Sequence, residues 1–105
     1  MVIQNSNVSA LAALGHDARL SIFRLLVKAG KPGLTIGVIG GHLNMAPSTL
    51  VHHLSKLVGA GLVLQEKRGR EVFNHIDYLV INALIEFLMS ECCIGVSADI
   101  LEETP

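Results

Sequence analysis

Between Pro47 and Ala60 the apolar positions Leu50, Leu54, Leu57 and Val58 fall at i, i+4, i+7 and i+8, the spacing of one buried helix face. The positions between them, Ser48, Thr49, His52, His53 and Lys56, are short polar or cationic groups. Pro47 suits the first helical position, where its missing N–H would have had no partner. A second helical pattern starts at His16-Asp17, with Asp17 placed to cap it or to complement its positive end. Leu20, Phe23, Leu26 and Val27 are its expected core positions, and the run Ala29-Gly-Lys-Pro-Gly33 ends it.

A short apolar helix from about Ser9 to Leu14 precedes that one, ending at Gly15. Between the two amphipathic helices, Thr35 to Leu43 predicts another, with Thr35 as N-cap and Ile36, Ile39 and Leu43 inward. Its glycines at 37, 40 and 41 make it a poor helix on propensity, so packing must hold it, with glycine permitting a close approach to its neighbour. Asn44-Met45 forms the turn, since Asn tolerates the left-handed conformation.

After Gly59 and Gly61 the pattern changes to two short strands, about 62–66 and 71–76, joined by Lys67-Arg68-Gly69-Arg70. From Tyr78 to about Cys92 it becomes helical again and apolar nearly all round. Leu79, Val80, Ala83, Leu84, Phe87 and Leu88 cover more than one face, so this helix needs two partners. One is its own domain, and the other is the same helix of a second copy, making a homodimer. The order of elements predicts a mainly α fold with a small β-hairpin, a winged helix-turn-helix dimerising through terminal helices. The domain spans 1–95, and 96–105 is an acidic tail expected to fray.

A chain of 105 residues is one domain, and 50% hydrophobic against 16% charged residues describes a folded one. The amino terminus lacks the basic region and apolar run of a signal peptide, and the apolar run from Tyr78 to Met89 is broken by Asn82 and Glu86. Two adjacent cysteines make no disulfide framework. The expectation is a cytoplasmic protein that does not engage membranes.

The net charge of −1 conceals a split. Residues 1–76 carry all eight Lys and Arg against three acids, whereas residues 77–105 carry six acids and no Lys or Arg. The first part suits phosphate. No acid lies between Ile36 and Gln65, unlike an ordinary solvated helix face. Ser48, Thr49, His52, His53 and Lys56 are therefore assigned to double-stranded operator DNA, and Lys67, Arg68 and Arg70 to a wing reaching a minor groove or its phosphates. The five histidines lack a nucleophile or carboxylate at recognisable spacing, so no catalytic site and no enzyme is expected.

Cys92 and Cys93 are the remaining candidate chemistry. Neighbouring cysteines cannot close an unstrained disulfide, but they offer two soft thiolates to one thiophilic centre. Trivalent arsenic or antimony is such a centre. Inorganic arsenite prefers three sulfurs, whereas a monomethylated arsenical is satisfied by two. The competing possibility is that one or both are merely small buried hydrophobes.

The stretch from Leu11 to Cys93 resembles the ArsR/SmtB family of dimeric winged-helix repressors. The segments that carry the resemblance are LAALGHDARLSIFRLL, PSTLVHHLSKLVGAGLV and EKRGREVFNHI. It implies a homodimer that represses its operon until an inducer, often a metal or metalloid, releases the DNA. Val51 stands where the family commonly has a Ser two residues before its His-Leu pair, removing a phosphate contact. The family's CxC site would fall on Thr35 and Gly37, and the Asp/His pairs of its zinc sensors are missing from the last helix. FLMSECCIG is similar to the carboxy-terminal vicinal-cysteine site of one arsenical-sensing branch. A third Cys often present there is replaced in this region by Ser97 and Asp99.

The resemblance implies no required cofactor and a regulatory ligand that is arsenite, methylarsenite or antimonite, bound by Cys92 and Cys93. Two alternatives stay open. The same cysteines could sense thiol oxidation or persulfide, or the domain could be a protein-interaction module that has lost DNA binding.

Overall fold

The computed structural model describes residues 5–96. Five helices and one hairpin follow in order: α1 (Asn5–Leu14), α2 (Asp17–Ala29), α3 (Ile36–Leu43), α4 (Pro47–Gly59), β1 (Val63–Arg68), β2 (Glu71–Ile76) and α5 (Tyr78–Met89). This is a winged helix-turn-helix. The expected acidic tail, apart from Val96, lies outside the described residues.

The local signals that delimit α3 and α4 work by hydrogen bonding. Thr35 Oγ1 accepts from the Val38 N–H at 3.3 Å, capping α3. Asn44 closes it in the left-handed conformation, at φ 52° and ψ 52°. Pro47 occupies the first turn of α4. Of the three α3 glycines only Gly40 meets another element, since a Cβ there would lie 3.0 Å from the Met45 carbonyl oxygen and 3.8 Å from Leu50. Close approach at the helix-turn-helix corner thus depends on that one glycine.

The core is a single cluster in which Ile22 and Leu26 of α2, Ile39 of α3, and Leu50, Leu54 and Leu57 of α4 are fully covered. The hairpin adds Val63 and Ile76, Leu62 enters just before β1, and α5 adds Leu84. Each of these residues gains roughly 1.5–3 kcal/mol from burial relative to exposure. On α2 the buried stripe is Ile22, Phe23 and Leu26, and the expected inward positions Leu20 and Val27 are 44% and 45% exposed. The helix carries apolar residues on nearly every side, so spacing alone does not select its inner face. Its N-cap is also not Asp17 but His16, whose Nδ1 accepts from the Ala18 N–H at 3.1 Å.

The hairpin is antiparallel, running from Val63↔Ile76 to Arg68↔Glu71, and it turns at Gly69-Arg70. Gly69 takes φ 64°, which a turn this tight requires of one residue. Lys67 and Arg68, expected in the tip, are strand residues instead. Leu34 adds an isolated antiparallel bridge to Asn74, so the α2–α3 loop lies along the edge of the wing. A Cβ on Gly33 would meet the Asn74 carbonyl oxygen at 2.5 Å, showing how close that loop runs.

Asp77 starts α5 by accepting from the Leu79 and Val80 N–H groups at 3.2 and 3.4 Å. The helix ends at Met89, three residues earlier than its apolar pattern suggests. Ser90 turns extended, and Glu91 and Cys93 adopt left-handed φ values of 61° and 67°. Among the described residues no helix is long and apolar enough to cross a membrane.

Candidate nucleic-acid interface

Burying Leu50, Leu54 and Leu57 turns the opposite side of α4 outward, and Ser48, Thr49, His52 and Lys56 are all exposed there. Ser55 shares that side, but its hydroxyl donates to the His52 carbonyl at 2.7 Å and is occupied by its own helix. Val51 flanks the face at 49% exposure, an apolar group of the kind that meets a thymine methyl. Spacing along the chain marks Val51 only as an apolar residue outside the buried stripe.

His53 does not join this face. Its ring lies 4.8 Å from that of His16, centroid to centroid, at 45°, and 5.6 Å from that of His52. Its Nδ1 is buried and has no hydrogen-bond partner among the described residues. Burial pushes its basicity below the ordinary imidazole value, and the charges of His16, Arg19 and His52 push the same way. His53 is a packing residue between α4 and the start of α2.

The wing cations also divide. Lys67 and Arg70 are exposed. Arg68 is engaged within the chain: its Nη2 and Nε donate to Glu66 Oε1 at 2.7 and 3.1 Å, and its Nη1 donates to the Pro32 carbonyl at 3.0 Å. The guanidinium lies 4.5 Å from the centroid of the Phe73 ring, a cation–π contact. That guanidinium holds the Glu66 carboxyl below its ordinary value. Arg68 therefore ties the wing to the α2–α3 loop, a role that only strand register and tertiary contacts disclose.

The apolar residues expected at a dimer surface separate in the same manner. Leu79 is 84% exposed, Ala83 and Leu88 are exposed, and Val80 and Phe87 are half-buried. Leu84 is 3% exposed and faces its own core, so it is no surface residue of the single chain. Ile85 and Met89, which the expected set omitted, stand exposed beside Leu88, and Val8 and Leu11 of α1 are exposed as well.

Cys92 and Cys93 are exposed in the turn after α5, with their sulfurs 2.6 Å apart and either able to donate to the other. That hydrogen bond, with a smaller contribution from desolvation, raises the Cys92 thiol above its ordinary value. Among the described residues no group of three His, Cys, Asp or Glu side chains gathers here or elsewhere.

A family model described as a helix-turn-helix domain matches residues 14–66, which include α2, α3, α4 and the start of the wing. Among solved structures, an ArsR-like transcriptional regulator from Rhodococcus sp. RHA1 superposes with a TM-score of 0.71 at 25% identity, covering 79% of this chain and 76% of its own. Reduced HlyU from Vibrio cholerae N16961 is 30% identical, with a TM-score of 0.65 and coverage of 84% and 90%. The chain belongs to the ArsR family of winged-helix regulators. The transcriptional repressor PagR of Bacillus anthracis is also similar, with a TM-score of 0.67, 25% identity and coverage of 79% and 92%. No curated protein matches the chain by sequence. The ArsR-family fold is that of DNA-binding transcriptional regulators and not of enzymes. In this member α4 turns a polar face outward and the wing carries the exposed Lys67 and Arg70.

Proposed function

We propose that the protein is a homodimeric repressor that leaves its operator when a trivalent arsenical or antimonite binds Cys92 and Cys93. The observation that carries the reading is the pair of adjacent, exposed thiols directly after a helix with an uncovered apolar face. Two copies joined along α5 would present two α4 helices, which must lie roughly 34–36 Å apart to enter successive major grooves. The identity of PagR as a repressor supports the direction of control.

With methylarsenite the chemistry is an exchange without redox change. Two As–O bonds break, two As–S bonds form, and two waters leave with the thiol protons. A ring closed across residues 92 and 93 would reset the turn that follows α5. Its effect on the spacing of the two α4 helices needs only about 2.7 kcal/mol of coupling to weaken operator affinity by about 10²-fold.

Operator binding measured by fluorescence anisotropy against arsenite, methylarsenite, antimonite, zinc and polysulfide tests the reading. DNA should be released by the arsenicals or antimonite, and Cys92→Ser should resist. If Cys92→Ser leaves DNA at the same arsenical concentration as the parent, the ligand assignment is wrong.

A second reading has one observation in its favour. HlyU, 30% identical, is described in a reduced form, which makes thiol oxidation or persulfidation of the same two cysteines the rival signal. Release by polysulfide but not by arsenicals, with sulfur addition to residues 92–93 seen by mass spectrometry, would replace the first reading with this one.

A further inference from the structure

A cleft of about 440 Å³ opens between α1, α2 and α4, away from the cysteine pair. Its polar lining is Ser9, Arg19, Ser55 and Lys56, and Ala13 and Ala60 belong to its apolar floor. None of the residues lining it is acidic. Arg19 is half-buried, and its Nε donates to the Ala13 carbonyl at 2.6 Å. That bond fixes the guanidinium while leaving both Nη groups without a protein acceptor among the described residues. Ser55 is already bonded to the His52 carbonyl, so the donors left along the lining are Arg19, Lys56 and the Ser9 hydroxyl.

We propose that this cleft binds a phosphate-class oxyanion carrying a small apolar group. Three donors reaching from three helices suit an acceptor with several oxygens at tetrahedral angles, and Arg in a fixed orientation is the preferred phosphate ligand. The alanine floor suits the carbon portion. The cleft also touches the DNA-reading helix, because Ser55 and Lys56 belong to α4. An anion held by Arg19 would offset one of the charges that lower the basicity of His53, so occupancy has a local reporter.

The phosphate could belong to a free molecule or to the DNA backbone, and one set of measurements separates the two. Thermal unfolding is followed against inorganic phosphate, phenyl phosphate and acetate, with chloride matching the ionic strength. Both phosphates should give a saturable rise in Tm of several degrees, larger for phenyl phosphate, and acetate a smaller one. Arg19→Gln should abolish the rise. Because that variant also loses the bond to Ala13, the exposed Ser9→Glu is the second test, placing a carboxylate in the cleft without removing a structural contact. In the parent, NMR titration should find the His53 imidazole more basic with phosphate bound. Competition between phosphate and duplex DNA, lost in Ser9→Glu, would identify the backbone as the source; equal binding to free and DNA-bound protein would identify a free anion. No saturable rise at matched ionic strength, or an undiminished rise in Ser9→Glu, would overturn the proposal.

Discussion

The imidazoles of His16 and His53 lie 4.8 Å apart at a tilt of 45°, joining the cap of α2 to the middle of α4. His16 Nδ1 accepts from the Ala18 N–H at 3.1 Å, and the basicity of His53 is lowered by burial first and then by His16, Arg19 and His52. α1, which also packs on α4, contributes no titratable side chain.

The folded value of His53 is lowered, so the unfolded chain binds more protons in the window below the ordinary pKa of about 6.5. Stability from this group is complete above that value and declines as pH falls toward the lowered folded pKa. His53→Gln should flatten this slope in chemical denaturation at a series of pH values. His16→Asp keeps a capping oxygen and replaces repulsion with attraction, so His53 should become more basic and acid sensitivity should shrink. An unchanged slope in both variants would remove the pair as its source.

Arg68 and Lys67 are adjacent in sequence but should behave differently on DNA. Replacing a phosphate-binding cation lowers the steepness of the salt dependence by about 0.9 for each phosphate that is no longer neutralised. Lys67→Ala and Arg70→Ala should each show that change in operator or non-specific duplex binding. Arg68→Ala should weaken binding by loosening the wing from the Pro32 carbonyl and Phe73, with little change in slope. A drop of a full unit of slope in Arg68→Ala would place its guanidinium on phosphate. Weak, salt-insensitive retention by the parent would instead favour an interaction module without DNA binding.

These residues also show where sequence reading reached its limit. The helix-turn-helix was legible because Leu50, Leu54 and Leu57 repeat on one face and Thr35, Asn44 and Pro47 each have a local structural reason. The inner face of α2 was not, since Leu20 and Val27 are as apolar as the buried Ile22 and Leu26. His53 and Arg68 have the residue types of a DNA surface, and their engagement depends on partners 37 and 36 positions away, His16 and Pro32. Leu84 differs from Leu88 only by which side of α5 meets the core. Polarity indicates what a side chain can do; tertiary contacts decide whether it is already doing something else.

Asn74 is fully buried in the wing, and both ends of its amide are hydrogen-bonded. Its Nδ2 donates to the Leu34 carbonyl at 3.1 Å, and its Oδ1 accepts from Gln65 Nε2 at 2.9 Å. Its backbone exchanges two further bonds with Leu34, at 2.8 and 2.9 Å. Asn74→Ala should leave those backbone bonds but strand the Leu34 carbonyl's second hydrogen bond and the Gln65 amide, at a cost of about 1–3 kcal/mol. Urea denaturation should detect the loss, and hydrogen exchange should quicken at Leu34 and across β2. A change smaller than about 0.5 kcal/mol would mean that water replaces the side chain freely at this edge.

The two sides of α5 separate assembly from folding. Leu79, Ile85 and Leu88 are open in the single chain, so Leu79→Glu combined with Leu88→Glu leaves its core intact. If α5 joins two copies, the double variant should sediment as a monomer while keeping the far-ultraviolet spectrum of a folded helical protein. Leu84→Ala should do the reverse, lowering stability by about 2–5 kcal/mol through the cavity left in the core. Dissociation of a true dimer would also make the parent's Tm rise with protein concentration, and the double variant should lose that dependence. A parent that is monomeric throughout, or a double variant that stays dimeric, would remove α5 as the joining surface. Where the double variant is monomeric, its operator binding should fall steeply, since a single α4 engages only one half-site.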